Sequence, residues 1–221
     1  MRNPWLDVPA ADYIGHMNSP EVDQLSVLSR LFREALERFL PADVLLLGCA
    51  TGNGLDRVDP SVTRRVTGVD INPVYLARLA SELPNPAFEL TLECADVMTR
   101  AFEPDAHDLV HCALLFEYVD WPRLIPRLGA TIRVGGGLSV VLQRPSAALP
   151  AVTATSYTSL LSLEEVFHFV EPSALAVHCL TAGLELQSQY SAPLSSGKAF
   201  DVMYFRKAGR YARIDRRPLA L

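Results

Sequence analysis

Short apolar runs and helically spaced apolar positions alternate along most of this chain. Val44-Leu45-Leu46-Leu47-Gly48-Cys49 is apolar at every position but the glycine. Such a run suits a first strand, 43–49, buried on both faces as in a parallel sheet. Upstream, Val22, Leu25, Leu28, Leu31, Phe32, Ala35, Leu36 and Phe39 recur at helical spacing. Residues 20–40 therefore read as one amphipathic helix, with Ser19 as cap, Pro20 in its first turn and Pro41 beyond its end.

Downstream the two patterns keep trading places. A short helix is expected at 53–58. Val66-Thr67-Gly68-Val69-Asp70 reads as a second strand, and Asn72-Pro73 opens a helix over 73–83. Glu89 to Cys94 alternates as a third strand, followed by Ala95-Asp96-Val97. A fourth strand over 108–115 leads to Phe116-Glu117-Tyr118-Val119-Asp120-Trp121 and a helix over 122–133, with Pro126 as an irregularity. Gly135-Gly136-Gly137 suggests a turn before a fifth strand, 138–142. Ser162-Leu163-Glu164-Glu165 has the form of a capping box opening another helix. A helix over 172–183 and two strands, 184–190 and 200–205, close the chain. Strands alternating with helices predict an α/β fold with a parallel sheet.

The first strand runs into Gly48-Cys49-Ala50-Thr51-Gly52-Asn53-Gly54, three glycines in seven positions. A buried strand entering a glycine-rich turn builds a mononucleotide-type site beyond its carboxyl end. The spacing is not the G-x-G-x-x-G of dinucleotide folds, and no Gly-Lys-Ser/Thr follows. It resembles the first motif of the class I S-adenosylmethionine (SAM)-dependent methyltransferases, aspartate-hydrophobic-G-C-G-T-G-x-G. The chain departs from that motif at Leu46, where the family usually has a carboxylate, and at Ala50, which replaces a glycine and requires a negative φ to be tolerated.

The resemblance covers residues 43–207 and implies a Rossmann-like three-layer sandwich. Its sheet has seven mostly parallel strands with an antiparallel closing strand, preceded by an N-terminal helical lid. One domain, 1–221, is expected: lid 1–40, core 43–207, substrate cap 145–171 and basic tail 208–221. The cofactor implied is SAM, with S-adenosylhomocysteine (SAH) as product. Asp70, 22 residues after Gly48, ends the second strand, where a carboxylate accepts both ribose hydroxyls. The resemblance further gives Gly48, Cys49, Ala50 and Gly52 to the turn around the cofactor and Ile71, Asp96 and Val97 to adenine. Leu114 goes to the loop beside the sulfonium, and Tyr13 and His16 to the methionine part.

Charge and cysteines narrow the classes. Net charge is −5, which argues against nucleic acid as a main partner. From Arg206 onward six bases face one acid, so this tail carries +5 and the rest −10. No apolar run reaches the length of a membrane helix, and the first residues are polar, so a cytoplasmic protein with no membrane partner is expected. Cys49, Cys94, Cys112 and Cys179 have no C-x-x-C spacing and read as buried free thiols, with no metal site.

The activity expected is methyl transfer from SAM to a small molecule. Such an enzyme aligns an acceptor with the activated methyl, excludes water and, for an acidic acceptor, removes a proton. Candidate bases are His16, His111, Glu117, Tyr118 and His168. The other reading is a SAM-binding or scaffold protein of the same fold without transfer activity, motivated by Leu46, Ala50 and the lack of one obvious base. No N-P-P-Tyr-like tetrapeptide follows the fourth strand, against amino-methylating enzymes of DNA. No G-x-S-x-G elbow supports a hydrolase. The sequence leaves the acceptor and the oligomeric state open.

Overall fold

The structure is a computed structural model, and it describes residues 3–209. The basic tail expected over 208–221 lies largely outside the described residues. Seven strands form one sheet: β1 Asp43–Leu47, β2 Arg65–Asp70, β3 Glu89–Cys94, β4 His107–Ala113, β5 Ile132–Gln143, β6 Leu184–Pro193 and β7 Ala199–Lys207. Their order across the sheet is β3-β2-β1-β4-β5-β7-β6. Neighbours from β3 to β5 pair in parallel, and β7 runs antiparallel to both β5 and β6. The expected mostly parallel, seven-stranded Rossmann-like sheet is observed, with β7 as its antiparallel member.

Strand alternation builds the two outer layers. Val44 and Leu46 of β1 join one core with α1 (Ala10–Asn18), α2 (Leu25–Phe39) and α3 (Pro73–Glu82). Leu45 and Leu47 point the other way, toward α4 (Trp121–Thr131) and α5 (Pro172–Thr181). β7 splits likewise, with Val202 and Tyr204 on the first face and Met203 and Phe205 on the second. Each fully buried Leu or Val contributes about 2 kcal/mol relative to exposure. Two such faces explain the unbroken apolar runs of the central strands.

Several local expectations are corrected. The helix read over 20–40 starts only at Leu25, and α1 precedes it as a separate element. Ser19 is the reason: its hydroxyl donates to the His16 carbonyl at 2.9 Å, so it closes α1 instead of opening α2. The Gly135-Gly136-Gly137 turn lies inside β5, where the register with β4 shifts between His107 and Leu109. Gly137 is needed there because a Cβ would stand 2.1 Å from Phe39 Cε1. The capping box at Ser162 opens no α-helix. Residues Thr158–Val166 form 3-10 turns, and Ser162 Oγ donates backwards to the Ser159 carbonyl. Pro126 does sit inside α4, on its exposed side, where a freed carbonyl reaches water. Cys94 is exposed, unlike the three other thiols, and all four are free.

Candidate functional site

The parallel strands end together at one edge, and a cavity of about 150 Å³ opens over them. Its floor comes from the loops after β1, β2, β3 and β4: Gly48 and Ala50, Asp70 and Ile71, Ala95 to Val97, and Ala113 to Leu115. Its roof is α1, the turn Pro4–Leu6 before it, and the 144–171 segment, through Tyr13, His16, Trp5, Val152, Leu163 and Phe167. A ligand site at the carboxyl ends of the strands follows from the sheet's topology.

The glycine turn is held in an unusual conformation. Gly48, Ala50, Gly52 and Gly54 all have positive φ. The expectation of a negative φ at Ala50 is therefore wrong: its φ is 46°. The compensation is visible in the hydrogen bonds. Asp70 Oδ2 accepts the Ala50 amide at 2.9 Å, and Oδ1 accepts the Asn72 amide at 2.8 Å. Burial raises the Asp70 carboxyl above its usual range, against the pull of these amides. A carboxylate oxygen can accept more than one hydrogen bond, and Asp70 lines the cavity. Leu114 is a second strained residue, with φ 52°, also on the cavity wall. Backbone strain of this kind collects at ligand sites.

Aromatic rings follow one another along the wall. Tyr75 and Tyr13 have centroids 5.3 Å apart, Tyr13 and Trp5 6.3 Å, Trp5 and Tyr118 5.0 Å, and Tyr118 and Phe167 5.5 Å. All five line the cavity. Among the described residues, buried Tyr75 Oη has no hydrogen-bond partner, and neither has Thr153 Oγ1, also on the cavity lining. Buried hydroxyls without partners in a cavity are sockets for a ligand's polar atoms.

Of the residues expected from the sequence, Gly48, Ala50, Asp70, Ile71, Asp96, Val97, Leu114, Tyr13 and His16 meet at this cavity. Cys49 and Gly52 do not. The Cys49 thiol turns under the turn against Gly68, and Gly52 packs on Leu79. Among the candidate bases, His16 and Tyr118 face the cavity. His111 points to the α2 face of the sheet, bonded to Ser139 Oγ at 2.9 Å beside Phe32, and burial pushes it down to about 3. Glu117 is fully buried behind Tyr118, and its Oε1 accepts the Gln143 amide at 2.7 Å. His168 is exposed, and its amide donates to the Glu117 carbonyl. His16 Nδ1 pairs with Thr155 Oγ1 at 3.0 Å, and burial, with the Lys198 charge nearby, lowers it to about 4.

The sequence did not single out Trp5, Tyr75, Gln143, Thr153 or Lys198 as lining residues. Gln143 ends β5, so the rule that sites lie at strand ends pointed to it. Lys198 precedes an antiparallel strand whose neighbour is unknown until the sheet order is known.

The groups at this edge suit SAM. The cavity offers two carboxylates, Asp70 and Asp96, as acceptors for hydroxyl or amino donors, and a ring-lined wall that suits a cationic centre. The model of the methyltransferase domain family matches residues 44–136. No curated protein matches the sequence. Among solved structures, the [4+2]-cyclase SpnF superposes with a TM-score of 0.63 at 15% identity, over 81% of each chain. A SAM-dependent methyltransferase from Mesorhizobium loti gives 0.62 at 19%, over 78% of this chain and 96% of that one. The N-methyltransferase NodS from Bradyrhizobium japonicum WM9, solved with SAH, gives 0.61 at 16%, over 81% and 85%. These likenesses are of fold.

Proposed function

We propose that the chain, whose residues 44–136 match the methyltransferase domain family, is a SAM-dependent methyltransferase acting on a small molecule held beneath α1 and the 144–171 segment. The observation that carries this reading is the joint position of Asp70, Asp96 and the Gly48–Ala50 turn on one cavity.

In this reading Asp70 accepts the ribose hydroxyls on the lone pairs its amide partners leave free. Asp96 takes the adenine amino group, with Ile71 and Val97 against the ring. Tyr13, Trp5 and Tyr118 face the cationic centre with π clouds. SAM, when bound, supplies a methyl group already activated by its sulfonium, so the chain needs no nucleophile of its own. Its residues align the acceptor and keep water out. His16, kept neutral by burial, offers Nε2 to a proton leaving the acceptor. The four free thiols suit a reducing compartment, and the cytoplasm is the location this reading carries.

The test is turnover. Purified protein is incubated with SAM and a panel of small amines, phenols and carboxylic acids, and SAH is measured. Acceptor-dependent SAH, with a methylated product in equal amount, supports the reading. SAH formation from none of these classes by protein that binds SAM would point instead to a non-transferring role of the same fold.

A further inference from the structure

The cavity has a second polar end that the cofactor reading leaves unused. It lies over β5 and β7, on the far side of β4 from Asp70 and Asp96. Lys198, just before β7, is only 4% exposed and lines it. Among the described residues its Nζ makes one hydrogen bond, 2.9 Å to the Ala151 carbonyl, and that carbonyl also accepts Gln143 Nε2 at 2.7 Å. No carboxylate pairs with Lys198 among the described residues. The acid whose charge acts on it is Glu164, which is exposed. Thr153, whose buried hydroxyl has no partner among the described residues, and His16, which feels the Lys198 charge, line the same cavity.

Burying an ammonium group against a single neutral carbonyl is costly. A protein that needed only packing here would carry Met or Leu. Burial lowers the Lys198 ammonium to about 8, so it keeps most of its charge at neutral pH. Two of its three N–H donors are free for a ligand. The surrounding walls are mostly apolar, with Met17, Val22, Leu28, Val152, Leu160 and Leu163 beside the buried Gln24.

Resting on the methyltransferase reading, we propose that this end of the cavity binds the carboxylate of the methyl acceptor, between Lys198 Nζ and Thr153 Oγ1. The acceptor is then a small, largely apolar carboxylic acid. Its charged group is anchored by Lys198, and its remainder reaches back along the apolar walls toward Tyr118 and Leu114.

The experiment uses the full chain, with and without SAH, and two matched probes: phenylacetate and phenylacetamide. Calorimetry should give at least tenfold tighter binding of the carboxylate. Lys198→Met should abolish that preference while SAH affinity stays within about twofold, and Thr153→Val should reduce it several-fold. Equal binding of acid and amide by the wild-type protein overturns the proposal without touching the cofactor site. So does a loss of SAH affinity in Lys198→Met, which would assign the cation to the cofactor's own carboxylate. Failure of the wild-type protein to bind SAH overturns the methyltransferase reading instead, and the acid–amide comparison without SAH still decides the anion site.

Discussion

Asp70 Oδ2 accepts the backbone amide of Ala50 at 2.9 Å, so the acid that ends β2 also holds the turn that follows β1. One carboxylate thus has two tasks, bracing the turn and facing the cavity. Asp70→Ala removes both. It leaves the Ala50 and Asn72 amides without acceptors and, in the proposed reading, removes the charged partner of the ribose. SAH affinity should fall by roughly 1.5–3 kcal/mol, about ten- to a hundredfold, and Tm should fall with it. Unchanged SAH affinity would end the ribose assignment even if Tm dropped.

Ala50 pays a conformational cost that glycine would not. Its φ of 46° is left-handed, where an L-residue costs roughly 1–2 kcal/mol. Glycine returns part of this as unfolded-state entropy. Ala50→Gly should therefore raise stability by about 0.5–1 kcal/mol, measured by chemical denaturation, with SAH affinity equal or higher. A loss of stability would show that the methyl group packs usefully.

Glu117 predicts a pH dependence with a definite sign. It is fully buried, its Oε2 has no partner, and burial pushes it up to about 7 from an ordinary 4.5. The folded state therefore holds the proton more tightly than the unfolded chain. The stability this provides is complete below about 4.5 and is lost as pH rises through about 7. The loss should approach about 3 kcal/mol above that window. Glu117→Gln mimics the protonated side chain and keeps the oxygen that faces the Gln143 amide. Urea denaturation at pH 5 and pH 8 should show wild type weakening more than the variant across the interval. Parallel pH profiles would mean that the Glu117 carboxyl is relieved by a partner in solution.

Gly15 and Tyr157 predict how the roof closes. A Cβ at Gly15 would lie 2.2 Å from Tyr157 Cζ, so α1 and the 144–171 segment touch through this glycine. Gly15→Ala gains about 1 kcal/mol of helix propensity but must push the ring away. Tm should change little, while SAH release, followed by Trp5 fluorescence in stopped flow, should quicken several-fold. An unchanged rate would mean that the Tyr157 contact does not hold the roof.

The fold was legible wherever a physical rule acts locally. Strand β1 announced itself because burial on both faces leaves no polar position. That Asp70 lines the cavity was legible because sites in such sheets lie beyond strand ends, and that Asp96 does so was legible from the family resemblance. The α1 helix was not, since Gly15, His16 and Asn18 weaken its pattern and Ser19-Pro20 imitates a helix start. The capping box misled because the Ser162 hydroxyl has a nearer acceptor in the Ser159 carbonyl. His111 looked like a base by residue type alone. The strand period, set against its neighbours, puts it on the α2 face away from the cavity. Lys198 and Thr153 line one cavity because β7 returns beside β5 and the 144–171 segment adds to the same roof, which no local pattern encodes.

The most direct test of a SAM site built on Asp70, Asp96 and the strained turn is calorimetric titration of the wild-type protein with SAM and with SAH. A SAM site there binds both ligands at one site per chain, with a Kd on the order of micromolar. No heat with either ligand, from protein shown to be folded, would contradict it and would mark Leu46 and Ala50 as signs of a lost cofactor site.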